Sequence, residues 1–344
     1  MPAVAAIPAT LIAGDGIGPE IVAATETVLE ALGAPFAWDR QAAGLAAHQQ
    51  LGDALPAATL DSIRRTRLAL KGPLTTPVGG GMRSINVRLR ETFGLFANLR
   101  PAYSYVPGGR YENIDIVLVR ENLEGYYVGY EHYIPVGDDP RAVAQGVGIN
   151  TRVGCRRIAE WTFEQAIKLG RKKVTIVHKA NILKVLTGLF LETAREVGQR
   201  YADRLVIEDK IVDNTAMQLV LNPWQFDVIL TTNLFGDILS DQIAGLVGGL
   251  GMAPGGNIGP DVAIFEAVHG SAPDIAGQGI ANPSAVLLAA AMMLDHVGLG
   301  ARAQALRQAL RQQIAEARVR TRDLGGTAST VEFAAALASR LRAG

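Results

Sequence analysis

Residues 231–246 read TTNLFGDILSDQIAGL, and this stretch decides the fold class. The run before and into it, 226–232, is short and apolar enough for a buried strand, while Ile238, Leu239, Ile243 and Leu246 recur behind Gly236 at helical spacing. A strand therefore feeds a helix here, and two carboxylates, Asp237 and Asp241, lie four residues apart on one helix face. Like charges at that spacing weaken an isolated helix by about 0.2–0.5 kcal/mol. A hard divalent cation such as Mg²⁺ or Mn²⁺, which takes oxygen ligands, would give the pair a purpose. A solvated first turn, where the helix dipole favours aspartate, is the structural alternative.

The same strand-to-helix pattern spreads outward. Segments 9–13, 67–71, 114–119, 172–178 and 206–212 read as strands, and 155–169, 215–221, 284–296 and 301–317 as helices. The alternation predicts an α/β protein. Segment 14–20, GDGIGPE, makes a glycine-rich turn into a helix running to about Ala31, but Pro19 departs from the dinucleotide fingerprint and a lone turn of this kind does not make a Rossmann fold. Segments 245–259 and 265–277 are dense in turn formers and read as loops, and 146–151 as one arm of a projecting hairpin.

At 344 residues the chain suits two lobes or one large unit. Lys+Arg and Asp+Glu balance at 33 each, which excludes a molecule-wide nucleic-acid or membrane-surface footprint. A single cysteine, Cys155, excludes a disulfide framework and reads as a buried thiol in a reducing compartment. The N-terminal residues lack a signal-peptide pattern and no run of about 18 apolar residues occurs. The expectation is a cytoplasmic protein with no membrane partner.

Polar groups gather where predicted elements meet. Pro73, Pro77 and Gly79 to Gly81 mark a loop whose backbone can approach a ligand, and Ser84, Asn86 and Arg90 follow at a helix start, a setting for an anion. Helix capping by Ser84 and solvation of Arg90 are the plain alternatives. Arg100 and Arg120 sit where strands meet loops, so three arginines could fork onto several carboxylates. Tyr126, Tyr127, Tyr130 and Tyr133 crowd one segment, and spacing does not choose an acid among them. Lys184 and Asp213 stand at two further junctions.

In order along the chain, GDGIGPE, KGPLTTPVGGG, S-x-N-x-x-x-R, RENLEG, HKANILK, NLFGDILSD, APGGNIG and HGSAPDIAGQGIANP resemble the β-decarboxylating dehydrogenases, which include isocitrate, homoisocitrate and 3-isopropylmalate dehydrogenases. The resemblance spans nearly the whole chain. It implies an isopropylmalate dehydrogenase-like two-lobed α/β fold, not a Rossmann fold, with a cofactor-binding lobe from 1–97 and 248–344. A smaller lobe, 98–247, carries a dimer-forming hairpin arm at about 131–152. It also implies a homodimer with shared active sites.

Carried residue by residue, the resemblance makes Asp237 and Asp241 metal ligands, with Asp213 supplied by the partner subunit. Lys184, also crossing the interface, is matched to proton transfer during alcohol oxidation, and Tyr127 to reprotonation of the enol. Arg90, Arg100 and Arg120 match the arginines that grip a malate moiety. Ser84 and Asn86 match polar contacts to a third carboxylate, where an isopropylmalate enzyme needs apolar groups. Thr75 matches a residue beside the nicotinamide; His269 and Asn282 match adenosine-side contacts, and Gly270 a cofactor contact; Asp274 and Ile275 stand where NADP-using relatives place Lys and Tyr. A carboxylate accepts from a ribose 2′-hydroxyl and repels a 2′-phosphate. The implied reaction is NAD-dependent oxidative decarboxylation of isocitrate, a tricarboxylate, with Mg²⁺ or Mn²⁺. Homoisocitrate, one methylene longer, is the nearest alternative substrate, and a regulatory subunit of a hetero-oligomeric relative is the alternative of another class.

Overall fold

The computed structural model describes residues 5–75 and 84–343. In chain order the elements are β1 (Ile7–Ile12), α1 (Gly18–Ala31), β2 (Phe36–Gln41), α2 (Leu45–Leu51), α3 (Ala57–Thr66), β3 (Leu68–Lys71), α4 (Ile85–Thr92), β4 (Ala97–Tyr103) and β5 (Asp115–Glu121). Next come β6 (Gly125–Val136), β7 (Asp139–Ile149), α5 (Arg152–Lys168), β8 (Lys173–His178), α6 (Leu186–Gly198), β9 (Val206–Ile211), α7 (Val212–Leu221) and β10 (Val228–Thr231). The last are α8 (Asn233–Leu246), β11 (Pro254–Ile258), β12 (Ala263–Ala267), α9 (Ser284–His296), α10 (Gly300–Glu316) and α11 (Thr330–Ala343).

Two compact units share these elements: Met1–Phe93 with Pro101–Ile114 and Ala244–Gly344, and Gly94–Arg100 with Asp115–Ile243. The first unit has strand order β2-β1-β3-β12-β11. Its strands run parallel except β11, which is antiparallel to β12. That order and the reversed strand separate it from the doubly wound Rossmann arrangement. Its centre is α9, where every residue from Ser284 to Leu294 is buried, as a helix that is apolar all round requires. Pro19 stands in the first turn of α1, where its missing N–H costs no helical bond, and Ile21, Val22, Val28 and Leu29 face inward.

The second unit has the parallel order β5-β10-β8-β9, with a separate antiparallel hairpin of β6 and β7. Central strands such as Val228–Thr231 are buried along their whole length, the pattern of a parallel sheet covered on both faces. Registers Thr231↔Arg120 and His178↔Ile211 bring the carboxyl ends of β5, β10, β8 and β9 to one rim, where open α/β sheets place their ligands.

Several local readings change. The hairpin begins at Gly125, so the tyrosine-rich segment is a strand, with Tyr126, Tyr127, Tyr130 and Tyr133 all on β6. Segments 245–259 and 265–277 contain β11 and the end of β12, both buried strands that lack a clear alternating pattern. Arg100 lies inside β4 beside Pro101 rather than at a strand end. The ligand-approach loop with Pro77 and the three glycines falls outside the described residues.

Candidate active site

In the second unit the site is built at the start of α8. Asn233, fully buried, accepts with its Oδ1 from Arg120 Nε (2.9 Å) and Nη2 (2.6 Å), and donates with its amide to the Glu124 carbonyl (3.1 Å). Arg120 thus lies flat along the helix start, and a Cβ on Gly236 would meet its Cγ at 2.6 Å, so only glycine admits it. The remaining guanidinium nitrogen of Arg120 donates to Asp237 Oδ1. The Tyr127 hydroxyl donates to Asp237 Oδ2 at 2.5 Å, and the Arg120 guanidinium carbon lies 5.0 Å from the Tyr127 ring centroid.

Arg100, also buried, donates to Ser240 Oγ at 2.5 Å and comes within 3.5 Å of Asp237 and 3.6 Å of Asp241. The structure therefore brings Arg100, Arg120, Tyr127, Asp237 and Asp241 together. Burial, with the hydrogen bond to Asp237, raises the Tyr127 hydroxyl above its ordinary range, so it keeps its proton. Burial and the neighbouring Asp237 charge outweigh the two arginines and raise Asp241. Two hard carboxylate donors, one turn apart and each raising the energy of the other's charge, fit a divalent cation.

Lys184 and Asp213 stand elsewhere on the second unit and are exposed. Asp213 pairs with Lys179 Nζ at 2.5 Å, a bond that lowers its carboxyl below the usual range. Among the described residues no three His, Cys, Asp or Glu side chains gather at metal-holding distances within one chain. Asn233 is a site residue that sequence reasoning missed; its signal is an amide, able to accept and donate at once, placed directly after a buried strand.

In the first unit Arg90 is buried, 4.0 Å from Glu266, and Glu266 pairs with the equally buried Lys71 and accepts from Asn257 Nδ2 at 2.7 Å. Burial alone would raise Glu266, but Lys71 and Arg90 overcome it and hold the carboxyl near 2. Ser84 occupies the N-cap of α4 without a side-chain capping bond, so the capping alternative does not describe it. Asn86 Oδ1 is buried with no partner among the described residues, which leaves polar capacity unspent.

GDGIGPE does scaffold work. Asp15 accepts from Leu45 N, Ala46 N and Thr75 N at 2.9, 2.9 and 2.7 Å, and Glu20 accepts from Gly279 N and Ala281 N at 3.0 and 3.3 Å. Gly16, at φ +58°, lets Ser271 O come where a Cβ would sit only 1.9 Å away. The turn thereby fixes the segments bearing Thr75, His269, Gly270, Asp274, Ile275 and Asn282. Thr75 Oγ1 lies 2.6 Å from Ser271 Oγ, and Asn282 Nδ2 donates to Asp323 Oδ2 at 2.8 Å. Burial lowers His269, so its imidazole is neutral; with Nδ1 2.9 Å from the Gly270 carbonyl, the proton sits on Nδ1 and Nε2 remains an acceptor. Asp274 is exposed, and nothing cationic at 275 offsets its charge. An exposed carboxylate at Asp274 beside an uncharged Ile275 fits a dinucleotide without a 2′-phosphate.

The sequence pattern of the family described as Isocitrate/isopropylmalate dehydrogenase matches residues 9–337. The crystal structure of isocitrate dehydrogenase from Methylococcus capsulatus is similar with a TM-score of 0.94 and 51% identity, over 97% of this chain and 99% of that one. A relative from Arabidopsis thaliana, named mitochondrial NAD isocitrate dehydrogenase catalytic subunit 5, is 45% identical over 97% of this chain and 88% of its own length. A relative from Dictyostelium discoideum, named as a regulatory subunit of mitochondrial NAD isocitrate dehydrogenase, is 45% identical over 96% of this chain and 91% of its own length. These mitochondrial relatives overturn the cytoplasmic expectation. One cysteine and balanced charge do not separate one aqueous compartment from another.

Proposed function

The chain belongs to the isocitrate/isopropylmalate dehydrogenase family, and from that premise we propose that it oxidises isocitrate with NAD and releases CO₂, leaving 2-oxoglutarate. The observation that carries the reading is a tyrosine hydroxyl that donates to Asp237, with the buried Arg120 on Asp237 and the buried Arg100 near both Asp237 and Asp241. Relatives at about this similarity named for NAD and isocitrate support the choice of cofactor and substrate.

Arg100 and Arg120, beside Asp237, are cations for carboxylates of the malate portion, and the family resemblance gives Arg90 the same role. Ser84 and Asn86 supply the polar groups that a third carboxylate needs, and an isopropyl group would leave them unpaired. The partner's Lys184 would take up the hydroxyl proton during oxidation of the alcohol carbon, for which bound NAD would supply the hydride acceptor. Asp237 and Asp241, with the partner's Asp213, would hold Mg²⁺ or Mn²⁺, which supplies Lewis-acid polarisation of the substrate's hydroxyl and keto oxygen. After the carbon–carbon bond to CO₂ breaks, Tyr127 delivers a proton to the carbon that lost it. Asp274 accepts from the ribose hydroxyls and repels a 2′-phosphate. The two arms of a homodimer would bring Lys184 and Asp213 into each other's sites.

The name of the Dictyostelium relative favours a second reading, a regulatory chain without turnover of its own. Purified alone and assayed with isocitrate, NAD and Mn²⁺, the chain should release one CO₂ per NADH formed. No turnover until a different chain is added would establish the regulatory reading instead.

A further inference from the structure

We propose that His178 is the positioning residue for Lys184, acting through the backbone N–H of Ala180. The inference rests on Lys184 as the proton acceptor and deepens that reading by assigning what aims it.

His178 closes β8 and is 6% exposed. Its Nδ1 accepts from Ala180 N at 3.0 Å, which leaves the ring proton on Nε2; that nitrogen is buried without a hydrogen-bond partner among the described residues, with Asp209 Oδ2 on β9 3.4 Å away. Asp209 is itself held, since its other oxygen accepts from Arg195 Nε and Nη2 at 3.0 and 2.5 Å. The imidazole thus holds the segment after β8 to the end of that strand through the Ala180 N–H. Downstream the turn closes on itself: Ile182 N and Leu183 N donate to the Lys179 carbonyl at 3.0 and 2.8 Å, and Lys179 N donates to Thr187 Oγ1 at 3.2 Å. Lys184 projects into solvent from this turn. Its long stem fixes nothing by itself, so the ammonium is aimed only as well as the backbone beneath it. On the same rim Lys179 holds Asp213, so the two groups assigned to the partner's site leave from one hydrogen-bonded corner.

A buried histidine that merely fills space makes a different prediction from one that supplies an acceptor. Nδ1 is one bond from Cγ, and so is the Oδ1 of asparagine, which can accept from the N–H two residues on. The Oε1 of glutamine lies one bond further out. Glutamine matches the volume of histidine better, yet asparagine alone reproduces the contact.

The test compares His178→Asn with His178→Gln in the full chain, reading kcat for isocitrate oxidation, KM for NAD, and amide hydrogen exchange over residues 179–187. The expected result is that His178→Gln lowers kcat about tenfold or more, the scale of a misaimed group. Its KM for NAD should stay within about twofold and exchange in 179–187 should quicken, while His178→Asn stays within about threefold on kcat and keeps its protection. If His178→Gln does not fold, Ala180→Pro, which deletes the donor and leaves the imidazole, must show the same loss. Equal losses in both His178 variants, or a better glutamine than asparagine, would overturn the proposal. Exchange that follows the expected pattern with kcat unchanged would overturn the role of Lys184. A native chain inactive on isocitrate would remove the proposed function, and the exchange pattern would then decide the His178 contact alone.

Discussion

Asp237 and Asp241 look equivalent along the helix, but their surroundings differ. Asp237 takes hydrogen bonds from Arg120 and Tyr127 and lies 3.5 Å from Arg100, whereas Asp241 has Arg100 at 3.6 Å and a side chain 55% exposed. Replacing Asp237 by Asn leaves the buried Arg120 facing a neutral amide, which should cost about 1–3 kcal/mol. Replacing Asp241 by Asn should stay within about 0.5 kcal/mol, as for most exposed changes. Both variants should bind Mn²⁺ more weakly, since each loses a charged oxygen donor. Urea unfolding without metal, paired with Mn²⁺ titration, checks both halves; equal stability losses, or unchanged Mn²⁺ affinity, would contradict the assignment.

The hairpin of β6 and β7 is rooted in a pair of acids. Glu121, 4% exposed at the end of β5, accepts from Leu123 N at 3.0 Å and Glu124 N at 2.7 Å, and Glu124 in turn holds Thr151 through its N–H (2.8 Å) and hydroxyl (2.5 Å). Burial raises the Glu121 carboxyl from 4.5 to about 7 despite those donors. A folded-state value above the unfolded one means the folded chain binds the extra proton, so stability is full below pH 4.5 and falls as pH rises toward 7. Glu121→Gln keeps an acceptor without the charge, so it should remove that decline and stabilise the protein at pH 7 by up to about 3 kcal/mol. Urea unfolding at pH 5 and pH 7 measures it; a variant less stable than the native protein at pH 7 would contradict the account. Elements were legible where a long apolar run has a clear start, as in α9, whose bounds Ser284–His296 follow directly from Pro283 and that run. β11 was not, because Pro254-Gly255-Gly256 carries no strand signal and is held in place by pairing with β12. The partners of Asp15, Glu20, Asn233 and Glu266 were hidden for the same reason: a polar side chain's destination is tertiary, and residue spacing carries no record of it.

For the whole molecule, the exposed Lys184 and Asp213 set the composite-site prediction. Mixing inactive Lys184→Ala and Tyr127→Phe chains should restore activity, because one of the two heterodimer sites then holds both intact groups. No recovery, once exchange of chains between dimers is demonstrated, would mean that each site is made within one chain. Resemblance along the sequence was enough to reach the family and the two-lobed fold, since eight motifs in order constrain far more than any single turn. The choice among family substrates rests on few side chains, chiefly Ser84 and Asn86, and that between cofactors chiefly on Asp274, while a methylene is worth only about 1–3 kcal/mol in substrate discrimination. The most direct test is therefore a side-by-side measurement of kcat/KM for isocitrate, homoisocitrate and 3-isopropylmalate, each with NAD and with NADP. The account predicts the highest value for isocitrate with NAD; a higher value for either other substrate, or for NADP, would contradict it.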